Sequence, residues 1–423
     1  MYVPCKYNVS DNINLYIIKD KKYKTVTASA YLHRKLSRSE VTENSLLSKV
    51  LKCGTSRYVN LNDLNIYAEN LFGCAFDVGI TKRADIQSIV STVSAVTDRF
   101  AGEPVIMPSI ELMLDLMFRP YLPGGTFFDD YIRTQKNNLK DDIESLINDK
   151  RAYANVRCIE EMCGGEPNAI VEIGYTEDIG GISAASLTKH YEKIIISSPI
   201  DIFVVGDVDG DEILKFLKNN FSDFDFIKSD LKIDYIDKKV ISPKFVRDRL
   251  DVNQGKLAMG FRTSININNP LYYALLVGNS IFGSGAHSKL FNNVREKMSL
   301  CYYAYSRLDK YNSLMLVGSG IEFDKFEKTR DAVLHELECV KDGDFTDSEL
   351  DVAKEYIIGT NKSLEDNPSM LSDYYMGLRF TPDLLSLDEV SEKVKNVTRD
   401  DIKEAFSHIA LDTVYFLSGK EKN

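Results

Sequence analysis

Short apolar runs and longer amphipathic stretches alternate along this chain, and they fall into two similar series. In the first, NINLYIIKD (12–20) and TVTASAYLH (25–33) carry the apolar and β-branched content of strands. The short basic run KDKKYK (19–24) reads as a solvated turn. Next comes SLLSKVLKCGT (45–55), where Leu46, Leu47, Val50 and Leu51 recur at near-helical spacing, so the last turns of a helix closed by Gly54 are predicted. The second series opens on the strand-like KLAMGFRTSI (256–265), followed by a helical LYYALLVGNSIFGSG (271–285) that again ends in glycine.

The ends of the two series also match. SLTKHYEKIIISSPIDIFVVGD (186–207) reads as a helix and then a buried strand stopping at Gly206. VTRDDIKEAFSHIALDTVYFLSG (397–419) repeats that order up to Gly419, with Thr398 and Asp401 as a capping pair. The two glycines lie half a chain apart, which predicts a duplicated domain. A long helical pattern spans 127–163, with Leu139, Ile143, Leu146, Ile147, Tyr153 and Val156 as one apolar stripe and a break expected inside it. Its counterpart begins at Thr346, where Glu349 completes a capping box. Between 222 and 245 the chain is polar and aperiodic. The expected organisation is a domain over 1–225, a linker over 226–245 and a second domain over 246–423. Strands and helices come in blocks, which points to an α+β fold.

Composition narrows the function classes. The chain has 423 residues and a net charge of -11, and no long basic cluster, which argues against a nucleic-acid partner. No apolar run approaches the roughly 18 residues of a membrane span, and the start lacks the order of a signal peptide. Seven scattered cysteines form neither a disulfide framework nor a zinc-ribbon spacing, so reduced thiols in the cytoplasm are expected.

Candidate chemistry is sparse. None of the five histidines (His33, His190, His287, His335, His408) lies within four residues of another, so no HExxH or HxxEH helix can be built. His335-Glu336 reads as the exposed face of a helix. Asp207 and Asp209 read as a turn after a strand, since the run lacks the register of a calcium loop. Asp141, Asp142 and Glu144 read as a solvated helix face. There is no GxSxG elbow, P-loop or dinucleotide fingerprint.

NSIFGSGAHSKLFNNVREKMSLCYYAYS (279–306) carries the sharpest signal. With the VVGD and QGKLAMGF strands and the paired halves, it resembles the C-terminal domain of the insulinase/pitrilysin metallopeptidases, the family of mitochondrial processing peptidase. The resemblance implies two homologous LuxS/MPP-like domains, each a mainly antiparallel sheet with helices packed on one face. In active members a helix bearing HxxEH ends in a Gly-Thr step. Laid on Gly54-Thr55, that motif falls on Ser45, Ser48 and Lys49, and the family's third zinc ligand falls nearest Asp142. A serine hydroxyl is a poor zinc ligand, a protonated lysine has no lone pair, and no carboxylate remains as general base. The resemblance therefore implies a degenerate site that holds no metal, with no catalytic residue of its own. A pairing of Lys49 with Asp141 or Asp142 is expected in its place.

Arg295 and Tyr302, with Gly283 and Gly285 in the glycine-rich loop, match family positions that contact peptide substrate. The alternative is that Arg295 pairs with a nearby acid and Tyr302 packs in its strand. The resemblance implies a non-catalytic subunit working beside an HxxEH-bearing partner that holds the zinc and acts on a peptide or unfolded-protein substrate. A self-associating scaffold, a homodimer, is the alternative. The N-terminal half looks closest to a bacterial branch described as associated with aminopentanol modification of elongation factor P.

Overall fold

A computed structural model describes residues 2–420. Eleven strands form two sheets. The first contains β1 (Cys5–Ser10), β2 (Ile13–Lys19), β3 (Thr25–Lys35), β4 (Ala75–Arg83), β5 (Ile86–Val96) and β6 (Ile200–Gly206), in the order β1-β2-β6-β3-β5-β4. The second contains β7 (Lys244–Leu250), β8 (Gly255–Arg262), β9 (Cys301–Asp309), β10 (Leu314–Ile321) and β11 (Ala410–Gly419), in the order β7-β11-β8-β10-β9. Each sheet has one parallel pair, β2 with β6 and β7 with β11, and is otherwise antiparallel. Dropping β1 makes the two topologies identical, strand for strand. The glycines at the ends of β6 and β11 thus occupy equivalent places.

Period-two alternation explains how each sheet is covered on both faces. Along β3, Val26, Ala28, Ala30 and Leu32 join the core under the first half's own helices. Tyr31 points the other way, with Tyr16, Ile18, Phe203 and Val205 from β2 and β6. That second face is covered by Leu371, Tyr375 and Met376 of the helix Pro368–Leu378, which comes from the second half of the chain. The second sheet mirrors this arrangement. Leu257, Met259, Phe261, Met315, Val317, Val414 and Phe416 face their own helices. Ala258, Leu316, Tyr415 and Leu417 face Ala154 and Cys158 of the helix Lys150–Met162, from the first half. Each half therefore packs its own helices on one face and receives one helix from the other half on the opposite face. A fully buried side chain of this size contributes about 2 kcal/mol, so the exchanged helices carry a large share of the cohesion.

The long pattern at 127–163 breaks as expected, into Asp129–Ser145 and Lys150–Met162, with Asp149 capping the second helix by accepting from the Arg151 and Ala152 amides at 2.9 Å. The single apolar stripe is corrected, because Leu139 packs in the first core whereas Tyr153 packs on the second sheet. The break lets the chain change sheets. Arg262 anchors the crossing helix: its guanidinium donates to both Glu166 oxygens (2.6 and 2.9 Å), to Asp412 (3.1 Å) and to the Met162 carbonyl (3.0 Å). The capping boxes at Thr346/Glu349 and Thr398/Asp401 form as the sequence predicts.

Residues 224–243 lack helix or strand, and β7 begins at Lys244, inside the span expected to be linker. This segment is tied down. Asn12 donates to the Ile227 carbonyl (2.6 Å) and accepts from the Ser229 amide (3.1 Å), Lys35 pairs with Asp234 (2.7 Å), and Ile233 is buried.

Candidate functional site

The helix carrying the altered motif is Val41–Leu51, with Lys52 as its C-cap. Gly54 does not close it in a left-handed turn. Gly54 serves a close approach instead, since a Cβ there would lie 2.6 Å from the Val59 carbonyl oxygen. Ser45 and Ser48 are buried, and both turn back onto their own helix. Ser45 Oγ donates to the Val41 carbonyl at 2.9 Å and contacts the Glu172 carbonyl at 3.3 Å, while Ser48 Oγ donates to the Ser45 carbonyl at 2.9 Å. Lys49 Nζ donates to Asp142 Oδ2 at 2.5 Å, joining this helix to Asp129–Ser145 as expected.

The surroundings are closed by a polar network. His190 Nε2 donates to Asn44 Oδ1 (2.7 Å), Asn44 donates to Gln87 (2.8 Å), and Gln87 donates to the Glu172 carbonyl (2.8 Å). Burial pushes the His190 imidazole down to about 4, so it is neutral near pH 7. Gly174 packs the same segment so tightly on the helix that a Cβ would meet Thr42 Oγ1 at 2.4 Å. This donor set does not fit zinc: two hydroxyls are committed to carbonyls and the third group is a cation bound to a carboxylate. Among the described residues, no group of three or more His, Cys, Asp or Glu side chains is placed to hold a metal ion.

In the second half, Arg295 lies on a π-helix, Leu290–Lys297, and Tyr302 on the edge strand β9. Arg295 Nε donates to the Tyr302 carbonyl at 2.9 Å, and its Nη1 lies 3.1 Å from Glu296. The Tyr302 side chain is exposed, and its hydroxyl donates to Glu322. Gly283 leaves no room for a side chain, because a Cβ would meet Ser306 Oγ at 2.5 Å, and Gly285 has φ +110°. These glycines shape the turn that leads into the π-helix. No hydrogen bond or ion pair among the described residues joins Ser45, Ser48, Lys49 or Asp142 to Gly283, Gly285, Arg295 or Tyr302. His335 is exposed, but Glu336 is buried, which corrects the reading of that pair as one exposed face.

The most deeply buried charges were missed in the sequence. Asp201 of β6 is fully buried and accepts from His33 Nε2 (3.1 Å), Arg379 Nε (2.6 Å) and Asn14 (2.9 Å), while His33 Nδ1 meets Ser88 Oγ at 2.7 Å. Burial alone would raise the Asp201 carboxyl; His33 and Arg379 outweigh it, so the group sits below its ordinary value. The order Ser-His-Asp has the look of a nucleophilic triad. All three side chains are buried, with Arg379 against Asp201 and the Phe380 ring against His33, so the group is closed to solvent. A lone aspartate in the apolar strand IDIFVVG was the legible signal, since a charge in such a strand requires partners.

A family model described as the peptidase M16 inactive domain matches residues 181–357. The chain is 34% identical over 413 residues to a Bacillus subtilis protein called probable inactive metalloprotease YmfF, covering 97% of this chain and 96% of that one. It is 20% identical to the B. subtilis protein called uncharacterized zinc protease YmxG, over 62% of this chain and 63% of that one. Among solved structures it matches a conserved protein from Enterococcus faecalis at TM-score 0.92 and 26% identity, over 99% of both chains. A peptidase M16 inactive domain structure from Pseudomonas fluorescens matches at TM-score 0.81 and 18% identity, over 99% of this chain and 98% of that one.

Proposed function

This chain belongs to the peptidase M16 family as an inactive homologue, and from that premise we propose that it is the non-catalytic subunit of a heterodimeric peptidase. In this reading a zinc-bearing HxxEH relative supplies the metal and the general base. This chain supplies chamber wall and contacts to a peptide or unfolded substrate. The observation that carries the reading is the contrast between the two halves. The first-half helix has lost every group zinc chemistry needs. The second half keeps Arg295 and Tyr302 together, with the phenol exposed on an edge strand. The guanidinium and phenol are suited to holding a peptide carbonyl. The cytoplasm is the compartment proposed, in keeping with seven cysteines none of which is paired. No helix among the described residues is long and apolar enough to cross a membrane.

Co-expression with an HxxEH relative from the same genome tests the proposal. A stable complex is expected, with peptidase activity that needs both chains and is abolished by a chelator. Failure of the two chains to associate would end it. One observation favours a second reading, a self-associating scaffold: Arg295 and Tyr302 already have partners in Glu296 and Glu322. Light scattering separates the two, because a tight homodimer indifferent to the relative supports the scaffold.

A further inference from the structure

The β4–β5 hairpin and its equivalent in the second half, β9–β10, aim their turns at each other. Ala84 of the first turn and Tyr311 of the second share one buried cluster with Ile86 and Ile233. A cavity of about 500 Å³ opens beside this meeting point, and a second of about 660 Å³ adjoins it; Arg83, Lys310 and Tyr311 line both. Volumes of this size are typical of small-ligand sites.

The two cations are incompletely matched. One edge of the Arg83 guanidinium pairs with Asp373, but its Nη1 is buried and has no hydrogen-bond partner. Among the described residues Lys310 Nζ makes no hydrogen bond or ion pair, and its aromatic contact is the Tyr311 ring, 5.1 Å away. The neighbouring Asp309 is spoken for by its own turn, accepting from the Tyr311 and Asn312 amides (3.1 Å each) and from the Asn312 side chain (2.7 Å). Glu172, which also lines the smaller cavity, has its charge offset by Lys82 first and by Arg83 second. Burial, with Arg83 adding to it, pulls the Lys310 ammonium down to about 8. Gly377 marks where the two cations converge. A Cβ there would lie 3.0 Å from the Tyr311 hydroxyl, 3.6 Å from Lys310 Nζ and 4.0 Å from Arg83 Nη1. A glycine thus keeps a side chain out of the spot that both donors border beside the Tyr311 hydroxyl, which itself donates to the Gly377 carbonyl. A buried donor without a partner and a half-buried ammonium without a hydrogen bond are costly, and an anion held between them reduces that cost.

We propose that the cavity between the two hairpin turns binds a compact oxyanion, carboxylate or phosphate, that bridges Arg83 and Lys310. Such a ligand fastens the two halves of the chain at the meeting point of their equivalent hairpins. The site stands independently of the partner-subunit reading.

The test uses the full chain, with inorganic phosphate and acetate titrated against sodium chloride at equal ionic strength. Melting temperature and calorimetric heat are the readouts. A saturable response to at least one oxyanion, absent with chloride, is expected. Lys310→Gln should weaken it about tenfold or more, the loss of one charge-assisted bond, with the melting temperature of the unliganded protein unchanged or raised. Gly377→Ala places a methyl between the donors and should weaken binding as well, providing a second variant should the first fail to fold. A preference for phosphate over acetate assigns a phosphate-bearing ligand. A response to a short peptide with a free C-terminus, lost on amidation, assigns a carboxylate. The proposal is overturned if neither anion exceeds chloride, or if both variants titrate like the unaltered protein.

Discussion

Ser45, Ser48 and Lys49 are each engaged by a bond of their own: the two hydroxyls donate to carbonyls of their own helix and the ammonium donates to Asp142. Ser45 is small enough for residues 170–175 to lie against its helix, as the Glu172 contact to Ser45 and the close approach of Gly174 to Thr42 require. Installing histidine at 45 and 49 with glutamate at 48 should therefore fail to create a peptidase. Overpacking should cost about 1–3 kcal/mol, read as a lower urea midpoint, and metal analysis should find less than one zinc per chain. The Lys49–Asp142 pair, partly exposed on both sides, should be worth little: Lys49→Met should shift stability by less than about 1 kcal/mol. His190 should matter more. Its proton affinity is lower folded than unfolded, so the stability it confers is full above about pH 6.5 and is lost as pH falls toward 4. The raised Glu43 carboxyl beside it acts in the opposite sense and softens the slope. Unfolding free energies from urea titrations at pH 7 and pH 5 should differ by on the order of 2 kcal/mol, and His190→Gln should flatten the difference. That no HxxEH helix can be built was legible from residue identities alone, whereas the network built around His190 was not. Hydrogen bonds that join residues 44, 87, 172 and 190 leave no periodic trace.

Among the elements, the strands that alternate cleanly or sit in apolar runs were readable, and so were helices marked by caps such as Thr346 and Thr398. The destination of each helix was not. The 150–162 and 368–378 helices carry ordinary amphipathic patterns, and nothing local says that each belongs to the other half's sheet. The contact is tight. A Cβ on Gly260 would meet Met162 Sδ at 2.6 Å, so Gly260→Ala should destabilise by about 1–3 kcal/mol, and pairing it with Met162→Ala in a double-mutant cycle should recover part of the loss. Just past the 368–378 helix, Arg379 reaches Asp201 in the first sheet. Removing it leaves a buried carboxylate short of a partner. Arg379→Met should cost about 3 kcal/mol, measured by urea unfolding.

For the whole molecule, the duplication was legible from two glycines half a chain apart, and the strand orders of the two sheets agree with it. The reciprocal cover means that neither half has a complete surface by itself. Residues 1–225 and 246–423 expressed alone should each expose the apolar sheet face described above and precipitate or bind hydrophobic dye. Made together they should co-purify, and a cleavage site placed within 224–243 should yield a nicked chain that still elutes as one species. In principle the same reciprocal cover is available in trans, from a second molecule. The pinned segment between the halves decides the matter. Asn12, Lys35 and the buried Ile233 hold residues 227–234 against the first half, which fixes the partner half at a very high effective concentration. Intermolecular exchange must first tear that seam, so each chain is expected to complete itself in cis rather than grow into swapped, open-ended assemblies.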